Sequence, residues 1–168
     1  KSFEISDNFS ESEYDVLVSS GEQVACSLIA GRLIHEGHES RSWLSWQIPI
    51  LTKGKYKNSR INQINKRNII KYLKKGGIPI VTGFQGLNDE NRITTIGRGG
   101  SDASAIMIAK FFKAERCIIY TDVEGVYTTD PNKLKNAKKI KVISYEEMLE
   151  MASLGAKVMQ PVSIQDAR

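Results

Sequence analysis

The residues best suited to chemistry lie in Gly97-Arg98-Gly99-Gly100-Ser101-Asp102. A glycine-rich turn that opens a helix leaves backbone N–H groups free at the positive end of the helix dipole. It also lets a ligand approach the main chain closely. Such a turn suits an anion, either phosphate or carboxylate. Arg98 adds a planar fork matched to a carboxylate. Asp102 is the odd member, because an acid beside an anion site repels the ligand; its presence asks for an amine, a metal ion or a lysine nearby. Glu22 follows Ser19-Ser20-Gly21 and has two readings, an acid complementing a helix N-terminus or a carboxylate that holds a substrate ammonium. Together Arg98 and Glu22 could grip the two charged ends of an amino acid. The residue types alone leave these readings open.

A third stretch, Thr121-Asp122-Val123-Glu124-Gly125-Val126-Tyr127-Thr128-Thr129-Asp130-Pro131, reads either as an acidic turn closed by Asp-Pro or as hydroxyls and a phenol lining a nucleotide pocket. Other chemistries find less support. No Gly-Lys-Ser/Thr follows the glycine turn, so it is not a P-loop, and it lacks the third glycine of a dinucleotide fingerprint. His35 and His38 flank Glu36-Gly37, which is not a zinc-binding helix spacing. Only two histidines exist, and no Ser-His-Asp or Cys-His nucleophile system is suggested. Trp43, Trp46, Met148 and Met151 read as core or interface.

Elements must position these groups. With 168 residues and 40% hydrophobic content, the chain can build one globular core. No apolar run is long enough to span a membrane, and no N-terminal segment reads as a secretory leader. Cys26 and Cys117 are far apart and read as free, buried thiols in a reducing compartment, hence a cytoplasmic protein. Nine basic residues and no acid lie between Lys53 and Lys75. That segment is read as a solvated loop and a basic helix face rather than a nucleic-acid surface, since it has two aromatics, Tyr56 and Tyr72, and no binding motif.

Hydrophobic patterning predicts a strand at Tyr14–Val18 and a helix from the Ser19–Glu22 turn to about His35, ended by Gly37. A strand over Ser42–Trp46 and a loop over Gln47–Ser59 follow. A helix over about Asn65–Lys75 stops at Gly76-Gly77, and Ile78–Val81 is a strand ending in the Thr82–Gly86 turn. Arg92–Ile96 is a strand, Ser101–Phe112 a helix and Cys117–Tyr120 a buried strand. Ser144 and Glu147 form a capping box, and Pro161 opens a last helix. Alternating strands and helices predict an α/β fold, a three-layer αβα sandwich around a mainly parallel sheet, with ligands beyond the carboxyl ends of the strands. The three glycine turns should converge there.

Several long motifs occur in a shared order: Val18-Ser19-Ser20-Gly21-Glu22-Gln23, Gly83-Phe84-Gln85-Gly86, Thr94 through Asp102, Tyr120 through Pro131, and Ile143 through Met148 with Ser153-Leu154-Gly155-Ala156-Lys157. In this order they resemble the aspartokinases of the amino-acid-kinase family, from Tyr14 to Arg168. The resemblance implies transfer of the γ-phosphoryl group of ATP, with Mg2+ carried by the nucleotide, to the β-carboxylate of L-aspartate. It also implies a homo-oligomer and a product, 4-phospho-L-aspartate, used for lysine, threonine, methionine and diaminopimelate synthesis. By position, Glu22 would hold the ammonium and Arg98 the α-carboxylate, with Gly99, Gly100 and Ser101 lining the same site. Asp102 would organise the amine and the transferring group. Thr121, Asp122, Tyr127, Thr128, Thr129, Asp130, Pro131 and Asn132 would form the nucleotide site, and Lys157 would reach the phosphates. The family's Lys-Phe-Gly-Gly-Thr-Ser loop has no match, Lys1-Ser2-Phe3 being a superficial echo, and no regulatory domains follow. The chain is therefore expected to be a single, N-terminally truncated catalytic domain, with an inactive or split remnant that pairs with another chain as the rival reading.

Overall fold

The computed structural model describes residues 8–156 and 158–168. The elements in chain order are α1 (Glu11–His35), β1 (Ser40–Trp43), β2 (Ile50–Lys55), β3 (Asn58–Ile64), α2 (Arg67–Leu73), β4 (Ile78–Val81), β5 (Gln85–Leu87), β6 (Ile93–Thr95), α3 (Gly100–Phe112), α4 (Tyr145–Ser153) and α5 (Pro161–Ala167).

The strands form two sheets. β1 and β4 pair in parallel, and a second sheet has the order β3-β2-β5-β6. Within it β2 and β5 run parallel, whereas β2–β3 and β5–β6 are antiparallel. The long helix α1 lies against β1, β4 and β6, while α2 lies on β4 and α3 on β3. A core cluster of Trp43, Ile48, Ile50, Ile61, Ile64 and Ile69 takes in Met107, Ile108, Phe111 and Phe112 of α3, but no residue of α1. Helices thus pack on the strands from separate sides, the α/β layering expected. Ile48 and Ile50 are fully buried, and each contributes on the order of 2 kcal/mol by leaving water. A second cluster joins Met148 and Ala152 of α4 to Ile164 of α5, with Val126 packed on it.

Three expectations are corrected. Tyr14–Val18 is helical, part of α1, so Ser20–Glu22 is no turn. A three-residue apolar run fits a helix as well as a strand. Here Glu11 and Glu13 in the first turn favour the helix dipole, and Asp15 and Ser19, one turn apart, are both buried. Gly21 and Gly31 cost the helix propensity, and tertiary bonds such as Cys26 Sγ to the Ile80 carbonyl (2.9 Å) outweigh that cost. Second, the segment 47–59 is not a loop but contains β2 and the start of β3. Pro49, Gly54 and the lysines suggested a loop, yet Ile50, Thr52, Ser59 and Ile61 alternate into the interior. Third, Cys117–Tyr120 is neither buried nor a strand: Ile118 is 60% and Tyr120 92% exposed, and no strand among the described residues pairs with it. Cys117 is correspondingly exposed, whereas Cys26 is buried. Of the two tryptophans read as core or interface, Trp43 enters the core and Trp46 is exposed.

The remaining elements fall near their expected places. Gly37 adopts φ +87° after α1, with its N–H on the Ile34 carbonyl and that of His38 on Leu33. Ser144 and Glu147 form the reciprocal capping box of α4, and Pro161 is the first residue of α5.

Candidate functional site

The glycine turn is built between β6 and α3. Gly97 (φ +87°) and Gly99 (φ +72°) adopt left-handed backbone, and Gly99 is the residue before α3. A Cβ on Gly99 would lie 2.5 Å from Cγ of Gln160, and one on Gly100 would lie 2.8 Å from Phe84 and 3.0 Å from Ile96. Glycine is therefore demanded twice over at 99, by conformation and by contact, and at 100 by contact. The 82–86 turn abuts the same helix end. The Phe84 N–H donates to Ser104 Oγ (2.9 Å), which donates to the Gly100 carbonyl (2.6 Å). Gly83 sits 3.6 Å, by the same measure, from the Ser101 backbone.

Glu22 stands mid-helix on α1, half-buried, rather than at a helix N-terminus. It shares the buried stripe of Asp15, Ser19 and Cys26. That stripe meets the end of the β5–β6 pair. Asp15 accepts from Thr95, and the Gln85 amide donates to the Ser19 carbonyl (3.2 Å) and accepts from Gln23 Nε2 (3.2 Å). Gln85 and Thr95 are partners in the ladder. Arg98 follows Thr95 by three residues and is exposed; Ser101 is exposed and Asp102 half-buried in the first turn of α3. Arg98 lines a cavity of about 270 Å3 with Arg60, Met107, Gln160 and Asp166, in which Glu22 takes no part. Among the described residues, Glu22, Arg98 and Asp102 make no ion pair or side-chain hydrogen bond to protein. All three charges are thus without a protein partner among the described residues, Glu22 on α1 and Arg98 and Asp102 at the start of α3.

The 121–132 stretch is a surface loop. Thr121 and Asp122 bond to each other (3.3 Å), and Tyr127 donates to Glu124 (2.8 Å), whose carboxylate raises the phenol above its ordinary pKa. Tyr127 bridges to Lys139, and the Thr128 N–H donates to the Lys138 carbonyl (2.9 Å). Thr129 is half-buried, Thr128, Asp130, Pro131 and Asn132 are exposed, and the Asn132 N–H caps onto Asp130 (2.9 Å). No bond among the described residues links this loop to Glu22, Arg98 or Asp102; its tie is the packing of Val126 on α4 and α5. The motif reading missed a cationic feature, lysines at 133, 135, 138, 139 and 141. Gly125 (φ +140°) makes room for one of them, its Cβ position being 3.0 Å from Lys139 Cε. The signal was present in the sequence as charge density. These lysines concentrate positive charge next to the 121–132 loop. No three His, Cys, Asp or Glu side chains gather to hold a metal among the described residues. Lys157 lies outside the described residues.

Residues 2–168 match the amino acid kinase family. The chain belongs to that family. Within it, the chain is similar to aspartokinase of Rickettsia felis, 51% identical over 91% of this chain and 38% of the relative, and to aspartokinase 2 of Bacillus subtilis, 46% identical over 98% and 40%. This member of the amino acid kinase family therefore spans about two fifths of the length of its curated relatives. Among solved structures it superposes on Escherichia coli aspartokinase III in complex with aspartate and ADP, with a TM-score of 0.86 and 32% identity over 94% of this chain and 36% of that one. Aspartate kinase from Synechocystis gives a TM-score of 0.81 and 36% identity over 99% and 27%. No helix among the described residues is long and apolar enough to cross a membrane.

Proposed function

We propose that the protein carrying this chain is an aspartokinase, transferring the γ-phosphoryl group of ATP to the β-carboxylate of L-aspartate. The observation that carries this reading is the match over 94% of the chain to an enzyme solved with aspartate and ADP. The unpartnered charges at 22, 98 and 102 supply a chemical reason for it. Glu22 takes the substrate ammonium and Arg98 receives the α-carboxylate as a two-pronged pair. Gly99, Gly100 and Ser101 offer backbone N–H groups at the start of α3. Asp102 orients the amine and the transferring group.

The acceptor oxygen and the γ-phosphoryl are both anionic, so catalysis rests on positioning and on offsetting repulsion. A β-carboxylate oxygen forms a bond to the γ-phosphorus as the bond to the bridging oxygen of ADP breaks. Thr121, Asp122 and Tyr127 through Asn132 hold the nucleotide, and Lys157 and the lysines after 132 supply positive charge for its phosphates. Magnesium, brought by the nucleotide, supplies charge neutralisation. The product, 4-phospho-L-aspartate, serves lysine, threonine, methionine and diaminopimelate synthesis, and the protein is a cytoplasmic homo-oligomer.

A coupled ADP-release assay on the complete gene product tests this. L-Aspartate should drive turnover, while glutamate and UMP should not. Equal turnover with UMP or glutamate, or none that depends on aspartate, would overturn the assignment.

A further inference from the structure

Asp15 has no role in the assignments above, yet it is a fully buried carboxylate. A buried acid must replace its lost hydration with fixed donors. Asp15 collects them from two separate segments. The Lys57 N–H donates to Oδ2 (3.0 Å) and Oδ1 (3.2 Å), the Thr95 N–H to Oδ2 (2.8 Å), and Thr95 Oγ1 to Oδ1 (2.9 Å).

These segments support the glycine turn. Thr95 ends β6, two residues before Gly97. Lys57 lies in the β2–β3 turn, and a Cβ on Gly97 would lie only 2.8 Å from its carbonyl oxygen. Lys57 is itself in left-handed backbone (φ +63°), which costs a non-glycine residue energy and requires outside support. Helix α1 gives that support three times: through Asp15, through Glu11 to Lys57 Nζ (3.3 Å), and through the Tyr14 ring, 4.9 Å beneath that ammonium. Glu22 is seven residues from Asp15, two turns further along the same stripe of α1.

We propose that Asp15 is a positioning residue that sets the register between α1, which carries Glu22, and the loop that carries Arg98. It touches no ligand. It locks the two poles of the amino-acid site relative to each other, an inference that rests on the aspartate-binding reading. An amide cannot replace it, because one oxygen would become an N–H2 facing the donors of Thr95 or Lys57.

Asp15→Asn in the complete protein tests the proposal. The expected result is a rise of about tenfold in the KM for aspartate, with kcat within about threefold and the KM for ATP within about twofold. Amide exchange over residues 95–101 should accelerate about tenfold while α4 stays unchanged. If Asp15→Asn does not fold, Thr95→Val removes one donor and should shift the same quantities by about threefold. An unchanged KM for aspartate in the folded variant overturns the proposal. So does an equal rise in both KM values with protection lost everywhere, which would make Asp15 merely structural. Wild-type protein without aspartate-dependent turnover sinks the aspartokinase reading instead, and unchanged exchange at 95–101 then overturns the clamp on its own.

Discussion

Arg98 carries the sharpest consequence for a single side chain. Its guanidinium is exposed and has no protein partner among the described residues, so its substitution should change ligand binding rather than folding. Arg98→Lys keeps the charge but loses the fork. The KM for aspartate should rise by about tenfold while the melting temperature stays within about 2 °C of wild type, checked by steady-state kinetics and thermal unfolding. Arg92 shows the contrast, since it is engaged by Glu13 and serves to hold α1 to the β5–β6 hairpin. At this scale the glycine turn was legible, because glycines in a strand–turn–helix setting declare their backbone locally, whereas the mid-helix place of Glu22 was not. Asp15 was not legible. A lone acid in an apolar run gives no hint that its partners lie 42 and 80 residues away.

Among the elements, α4 depends on its cap. Ser144 Oγ accepts from the Glu147 N–H (3.2 Å), and the Glu147 carboxylate accepts from the Ser144 N–H (3.0 Å) and hydroxyl (2.8 Å). These donors hold the Glu147 carboxyl below its ordinary pKa. A group whose folded pKa is depressed stabilises the fold above its unfolded pKa and loses that contribution as pH falls through the folded value. Stability should therefore drop as pH is lowered below about 4, and Glu147→Gln should flatten that part of the profile, as read by helix signal against pH. Ser144→Ala should cost about 1 kcal/mol in denaturant unfolding at pH 7. Capping boxes, Gly37 after α1 and Pro161 at the start of α5 were readable because their hydrogen bonds close within a few residues. The β2–β3 hairpin and the fate of Cys117–Tyr120 were not. Whether an apolar run becomes a strand depends on a ladder partner, and the partner is remote in sequence. The same holds for Tyr14–Val18, whose helical state is fixed by what Asp15, Ser19 and Gln23 meet across the fold.

Taken whole, the chain ties α1 to the β5–β6 end by hydrogen bonds and the 121–132 loop to α4 and α5 by packing. The long helix α1 meets the β5–β6 end, α3 starts at that end, and α5 reaches back through Gln160 to Gly99 and through Ile164 to the cluster that holds Val126. Glu22, the glycine turn and the 121–132 loop are thus mounted on one connected frame. Fold class was readable from the alternation of strands and helices, and the motif order carried the family. The path by which the 121–132 loop is tied to the glycine turn was hidden, since it runs through apolar contacts of α4 and α5. The central claim is that one site holds a zwitterion by its opposite charges. It is tested most directly by comparing the KM for L-aspartate with the inhibition constant of succinate, which lacks the ammonium, in wild type and Glu22→Gln. Aspartate should weaken by about tenfold or more, the worth of a charged hydrogen bond, with succinate unchanged within about twofold. Equal weakening of both ligands, or of neither, would contradict it.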